Sequence, residues 1–252
     1  MQIIDELLKQ IDERKAKLDA APAFNEGELA RLREHFMVEY TYNSNAIEGN
    51  TLTLYETRLV VLEGLTIDKK PVKDHLEAVG HRDAFEYIVE ISKHDEELSE
   101  KTIKEIHALV LMNDAKNKGK YRELPVTISG ALDTPPQPSQ IHAKMGELLQ
   151  SYKNDTRHPI EKIADFHIQF EQIHPFIDGN GRTGRLIMNL ELIKAGYAPV
   201  NVKYADRGLY IECFRRSVVQ GNSDIFIEMV ARYELEELDN LISISSYKAG
   251  GA

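Results

Sequence analysis

The sequence predicts an all-α protein carrying one small β-hairpin. Apolar residues recur at helical spacing through nearly the whole chain, and each run is closed by a glycine, a proline or a capping residue. Only residues 119–131 read as strand and turn. With 252 residues, 42% hydrophobic and 29% charged, the chain is long enough to bury a sizeable core and has the composition of a soluble globular protein.

The net charge of −10 argues against a general nucleic-acid binder, which concentrates positive charge to displace counterions. Cys213 is the sole cysteine, so neither an intrachain disulfide nor a cysteine-based zinc site is available, and a reducing compartment fits. No apolar run of about 18 residues exists, and the start Met1-Gln2-Ile3-Ile4-Asp5 lacks a basic, apolar leader. The expectation is a cytoplasmic protein with no membrane and no nucleic-acid partner.

Residues 3–18 read as a helix with Ile4, Leu7, Leu8, Ile11 and Leu18 on one stripe, ended by Ala21-Pro22-Ala23-Phe24-Asn25. A second helix from about Glu26 turns Leu29, Leu32, Phe36 and Tyr40 to one face and ends at Glu48-Gly49, with Gly49 as the left-handed cap. Thr53-Leu54-Tyr55-Glu56 is a capping box for a helix with Leu54, Leu59, Val60 and Leu62 as core candidates and Gly64 as its stop. Helices follow Pro71 and Ser99. His75, His81, His94 and His107 lie along them without ligand spacing and are assigned structural or surface roles. In 119–131, β-branched residues flank Ser129-Gly130. Helical spacing resumes over 139–153 and 160–173. After Gly196, helices start near Asp206 and Ile225, the last reaching Ile242, and 245–252 read as a disordered tail.

The informative stretch is His174-Pro175-Phe176-Ile177-Asp178-Gly179-Asn180-Gly181-Arg182-Thr183-Gly184-Arg185, which opens onto an apolar helix at Leu186. Gly179, Asn180 and Gly181 reach backbone conformations closed to most residues, so their N–H groups can form a nest at a helix N-terminus, where negative charge is favoured. Arg182 and Arg185, three apart, share a helix face and offer two planar forks to a polyphosphate. Asp178 is a hard carboxylate beside an anion site, the usual means of holding magnesium, with nucleotide and water completing its shell. His174 has the near-neutral reference pKa of a general base. A calcium loop is excluded, because the bidentate acid position falls on Asn189 and Arg182 occupies a ligand position.

Taken whole, this stretch resembles the signature of the Fic family, His-Pro-Phe-x-Asp/Glu-Gly-Asn-Gly-Arg-x-x-Arg, and every fixed position is met. The resemblance implies a Fic-type helical domain that transfers AMP from ATP to a hydroxyl side chain of a target protein, releasing pyrophosphate. It casts His174 as general base and Asp178 as ligand to magnesium (or manganese). Gly179, Asn180, Gly181 and Gly184 fall to the phosphate cradle, and Arg182 and Arg185 to the terminal-phosphate clamps. It places Tyr210 near the adenine and makes the hairpin, with Thr127, Ile128, Ser129 and Gly130, a flap that pins the target by main-chain pairing.

Ser44-x-x-x-Glu48-Gly49 resembles the family's inhibitory motif, in which the glutamate pairs with the second signature arginine, here Arg185. Such a charge-assisted pair in a dry pocket is strong, and deleting one partner can cost about 3–5 kcal/mol. The expected organisation is an N-terminal helical segment over 1–39, a Fic domain over 40–235 with its inhibitory helix at about 40–49, and a helix end and tail over 236–252. The expected function is an autoinhibited adenylyltransferase acting on Ser, Thr or Tyr, its own hydroxyls among the options. Alternatives are a deAMPylase, a transferase using another nucleotide donor, and an ATP-sensing interaction module. The sequence names no target and no oligomeric state.

Overall fold

The computed structural model describes residues 2–127 and 133–250. Its helices are α1 (Gln2–Asp19), α2 (Glu26–Ile47), α3 (Leu54–Glu63), α4 (Val72–Ile91), α5 (Glu100–Val110), α6 (Ile141–Asn154), α7 (Pro159–Ile173), α8 (Asn180–Lys194), α9 (Arg207–Gln220) and α10 (Asp224–Gly250). Single 3-10 turns at Pro138–Gln140 and Tyr204–Asp206 precede α6 and α9. The all-α class is borne out, and no strand occurs among the described residues. No described helix is long and apolar enough to cross a membrane.

Local chemistry sets the helix ends. Asn25 and Thr53 form reciprocal capping boxes with Glu28 and Glu56, and Ser99 caps α5 through the Thr102 N–H. Gly64 and Gly221 close α3 and α9 in the left-handed conformation.

The site is positioned by α7 and α8, which lie between two apolar clusters. Phe166, Phe170, Leu186, Ile187 and Leu190 face a cluster built with α2, α4, α5 and α6. Ile160, Ile163, Ile168, Met188 and Leu192 face another built with α1, α9 and α10. Every residue of α8 from Arg182 to Leu192 is buried, as expected of a helix packed all round. The loop joining these two helices therefore hangs from a helix pair packed into both apolar clusters.

Three sequence expectations are corrected. Leu29 and Leu32 are not part of the core, Leu29 being 44% exposed; Phe36 packs half-buried against the Tyr40 and Phe85 rings, and full burial along α2 begins at Met37. Leu54 is exposed and Thr57 takes the inward place on α3. The last helix does not end at Ile242 but runs to Gly250, held by Ser245, which is buried and donates to the Pro22 carbonyl at 3.3 Å.

Phe170, fully buried one turn before His174, tests this frame. Phe170→Ala is expected to destabilise the fold by about 3–5 kcal/mol in urea unfolding, through lost burial plus a cavity.

Candidate active site

The loop between α7 and α8 is shorter than the sequence suggested, because α8 begins at Asn180 and not at Leu186. His174 ends α7 in the left-handed region (φ 49°), with its N–H on the Phe170 carbonyl. Gly179 (φ 76°) caps α8. The Asn180 side chain closes the loop on itself, accepting from Phe176 N–H and donating to Phe176 C=O, both at 2.9 Å. The Phe176 ring stacks on His107 with centroids 3.6 Å apart. His107 Nδ1 accepts from the Gly119 N–H, so its Nε2–H donates to the Asp178 carbonyl at 3.0 Å. Burial pushes His107 down to about 4, keeping it neutral and this tautomer in place. His107 thus has a structural role, one that fixes the carboxylate-bearing residue of the loop.

Arg185 is wholly buried and every arm of its guanidinium is engaged. Nε donates to Ser44 Oγ at 3.0 Å, and Nη2 donates to Ser44 C=O at 2.8 Å and Glu48 Oε1 at 2.9 Å. Nη1 donates to the Tyr210 hydroxyl at 3.2 Å, and that hydroxyl donates onward to His167 Nε2 at 2.8 Å. Burial pushes His167 down to about 3, so it is a neutral acceptor. Ser44 and Glu48, one turn apart on α2, meet the guanidinium together, as the inhibitory motif led one to expect. A Cβ at Gly181 would lie 2.3 Å from Glu48 Oε1 and 2.9 Å from Arg185 Nη1. Only glycine at 181 lets the pair sit on the N-terminus of α8.

The end of α2 is tied down from two more sides. Arg207 Nε donates to the Ile47 carbonyl at 2.8 Å. Beyond Gly49, Asn50 donates to the Asp74 carbonyl and to Glu77 Oε2, and Thr51 donates to Asp74 Oδ2 through both N–H and hydroxyl.

A cavity of about 380 Å³ joins these parts, with Glu48, His174, Asp178, Gly181, Arg185 and Tyr210 among its walls. His174 Nδ1 donates to the Glu171 carbonyl at 3.3 Å, which leaves Nε2 as the basic nitrogen, and burial holds the imidazole below its ordinary pKa. Asp178 Oδ1 accepts from Gly179 N–H at 2.6 Å and from Arg182 at 3.3 Å. No cluster of three or more metal-ligating side chains exists among the described residues. One half-exposed carboxylate suits magnesium, which keeps several waters and relies on substrate phosphates.

The two signature arginines have separate partners. Arg182 is buried with Nη1 3.0 Å from Glu77 Oε1, and it is not among the cavity-lining residues. Thr127 lines the cavity, while Ile128, Ser129 and Gly130 of the expected flap lie outside the described residues. The stretch 119–127 forms no strand. It is held instead by Arg122, which donates to the carbonyls of His174 (2.8 Å), Leu124 (3.1 Å) and Pro136 (2.6 Å), while its own N–H donates to Pro175 C=O. Arg122 therefore ties Leu124 and Pro136 to the loop that carries His174.

Arg122, Glu77, Arg207 and Glu171 are the residues that sequence reasoning missed, together with the contacts through which His107 plays its expected structural role. Glu171 alone left a signal, being three residues before His174 on the same helix. Arg122→Gln is expected to lower stability by about 1.5–3 kcal/mol in denaturant unfolding, the range for hydrogen bonds to a charged group. Limited proteolysis should then cut beside Leu124 and Pro136 faster than in the unaltered chain.

Comparison with known proteins agrees with this geometry. Residues 97–192 match the Fic/DOC family. The chain is 35% identical over 255 residues to the protein adenylyltransferase Fic of Nematostella vectensis, covering 99% of this chain and 59% of that protein. It is 33% identical over 245 residues to the protein of the same name in Drosophila melanogaster, covering 93% and 49%. The chain thus spans about half to three fifths of these curated relatives. Among solved structures, a Fic domain containing signaling protein from Bacteroides thetaiotaomicron superposes with a TM-score of 0.86 at 26% identity, covering 95% of this chain and 97% of that one. Fic-1 from C. elegans gives 0.86 at 28% identity, covering 98% and 74%. The similarity extends over the helices that hold the loop as well as the loop itself, and the Fic/DOC match at residues 97–192 takes in the whole of that loop.

Proposed function

We propose that this chain is an autoinhibited protein adenylyltransferase, which moves AMP from ATP to a Ser, Thr or Tyr hydroxyl of a protein. The observation that carries the reading is the Glu48–Arg185 pair, seated over the N-terminus of α8 in the same cavity as His174. Relatives named protein adenylyltransferase support the activity.

In this reading the backbone N–H groups at the start of α8 receive phosphate oxygens, where the helix dipole favours them. Arg185, once released by Glu48, holds the terminal phosphate. Arg182 joins it only by leaving Glu77; while paired it steadies Asp178 instead. Asp178 would hold a magnesium ion, which would supply charge to offset that of the phosphates. The Tyr210 ring borders the nucleotide, its hydroxyl already committed to Arg185 and His167. The segment around Thr127 presents the target by main-chain pairing. His174 Nε2 removes the hydroxyl proton as the oxygen attacks the α phosphorus and pyrophosphate departs.

Inhibition follows from competition. With Arg185 saturated by Ser44, Glu48 and Tyr210, ATP has no clamp for its terminal phosphate, so the α phosphorus is not brought in line with the hydroxyl. Rate falls more than affinity.

The test supplies magnesium and ATP labelled at either the α or the γ phosphate. Glu48→Gly should retain α label on protein well above the unaltered chain, and adding His174→Ala should reduce it by about 10²–10⁴, the usual worth of a general base. Absence of label from Glu48→Gly, with the variant folded and ATP bound, would refute the reading. Label from the γ position would point to a phosphotransferase.

A further inference from the structure

Two acids of the cavity, Asp133 and Glu171, are left unused by the roles above, and of these Glu171 is the one beside His174. It stands on α7 one turn before His174, on the same helix face. Its carbonyl already accepts the His174 Nδ1–H, and its Oε2 lies 3.8 Å from that same nitrogen, one small rotation from a hydrogen bond. Its other oxygen, Oε1, is buried and has no hydrogen-bond partner among the described residues. It approaches α8 so closely that a Cβ at Gly184 would lie 2.9 Å away.

A buried carboxyl lacking a donor is unfavourable, and apolar side chains of similar size would pack there without that cost. Its surroundings are charged or titratable on each side. α2 presents Glu48, α8 presents Arg185, α9 presents the Tyr210 hydroxyl, and α7 itself contributes His167 and His174. Burial, and after it the Glu48 carboxylate, push Glu171 up to about 8, with Arg185 opposing. In the locked arrangement it is therefore mostly protonated near neutral pH. His174 is held neutral by its own burial. Neither member of the pair carries charge while Glu48 is in place.

We propose that Glu171 is a positioning residue for His174, whose carboxylate accepts the Nδ1–H when Glu48 withdraws and balances the imidazolium formed as Nε2 takes the target's proton. The inference rests on the transferase reading given above. The balance is closed. The hydroxyl oxygen bonds to the α phosphorus as the bond to pyrophosphate breaks, the hydroxyl proton moves to Nε2, and the Nδ1 proton stays on the ring, shared with Glu171. Glu48 then inhibits in two ways, by occupying Arg185 and by keeping a like charge beside Glu171. Withdrawal of Glu48 removes one of the two causes that raise Glu171, so the carboxylate forms at lower pH. The sign follows directly: the ionised form accumulates as pH rises, and the transfer rate rises with it.

The test uses the full chain, comparing Glu48→Gly with Glu48→Gly carrying Glu171→Gln or Glu171→Asp. NMR titration of the His174 ring, without nucleotide, reads the coupling independently of transfer. The His174 midpoint should fall by about one pH unit in the Gln variant, as expected on losing a nearby opposite charge, and recover in part with Asp. Transfer of α label from saturating magnesium-ATP, followed from pH 6 to 9, should rise with pH in Glu48→Gly. It should drop at least tenfold and lose that pH dependence in the Gln variant, with ATP affinity unchanged. Matching His174 titrations, or pH profiles of the same shape and height, would overturn the proposal. If Glu48→Gly transfers nothing, the transferase reading fails, and the NMR midpoints alone decide whether Glu171 governs His174.

Discussion

The guanidinium of Arg185 has no contact with water, and that single fact organises much of the molecule. A buried cation without partners is prohibitively unfavourable, so the helices around it must each bring an acceptor. α2 brings the Ser44 hydroxyl and carbonyl and the Glu48 carboxylate; α9 brings the Tyr210 hydroxyl. The same need fixes the depth at which α2 lies against α8, with Gly181 providing the clearance. A helix with no fully buried residue before Met37 is thereby anchored at its C-terminal end. Arg207 on the Ile47 carbonyl, and Asn50 and Thr51 on α4, hold that end from the other directions.

The reactive loop depends on a different device. It is short, and four of its backbone polar groups are claimed by side chains to which no reactive role is given. Asn180 takes both polar groups of Phe176, His107 takes the carbonyl of Asp178, and Arg122 takes that of His174. These bonds hold the candidate base His174 and the candidate metal ligand Asp178 in place at the cavity wall. Preorganisation of this kind removes reorganisation from the reaction step.

Much of the site was legible in the sequence because it is contiguous: twelve residues carry the base, the acid, the nest and both arginines. The pairing of Glu48 with Arg185 spans 137 positions and could be read only through a family resemblance. The contacts of Arg122, His107 and Arg207 stayed invisible for a physical reason. They fall on backbone carbonyls, which every residue possesses, so these partners leave no mark in composition or spacing. Helical periodicity found the helices but could not tell which stripes are covered, and so placed Leu29 and Leu54 inside when no element packs over them. It also missed the true start of α8, since the glycines at 179 and 181 read as loop until the Asn180 side chain is seen closing on Phe176. The helical end at Gly250 escaped it too, because Ser245 is held by a contact 223 residues away.

The clearance at Gly181 has a consequence for how this protein can vary. Every atom on the α8 side of the inhibitory pair also belongs to the phosphate end of the proposed nucleotide site. A side chain at 181 would obstruct lock and ligand together, and loss of Arg185 would release Glu48 while discarding the clamp it blocks. The α2 side has no such double duty in positioning phosphate. In the proposed reading, unlocking without disabling is thus a one-sided event: variation that turns the protein on falls at the end of α2 or on the residues that hold it there, Arg207, Asn50 and Thr51, and variation that falls on the signature turns it off.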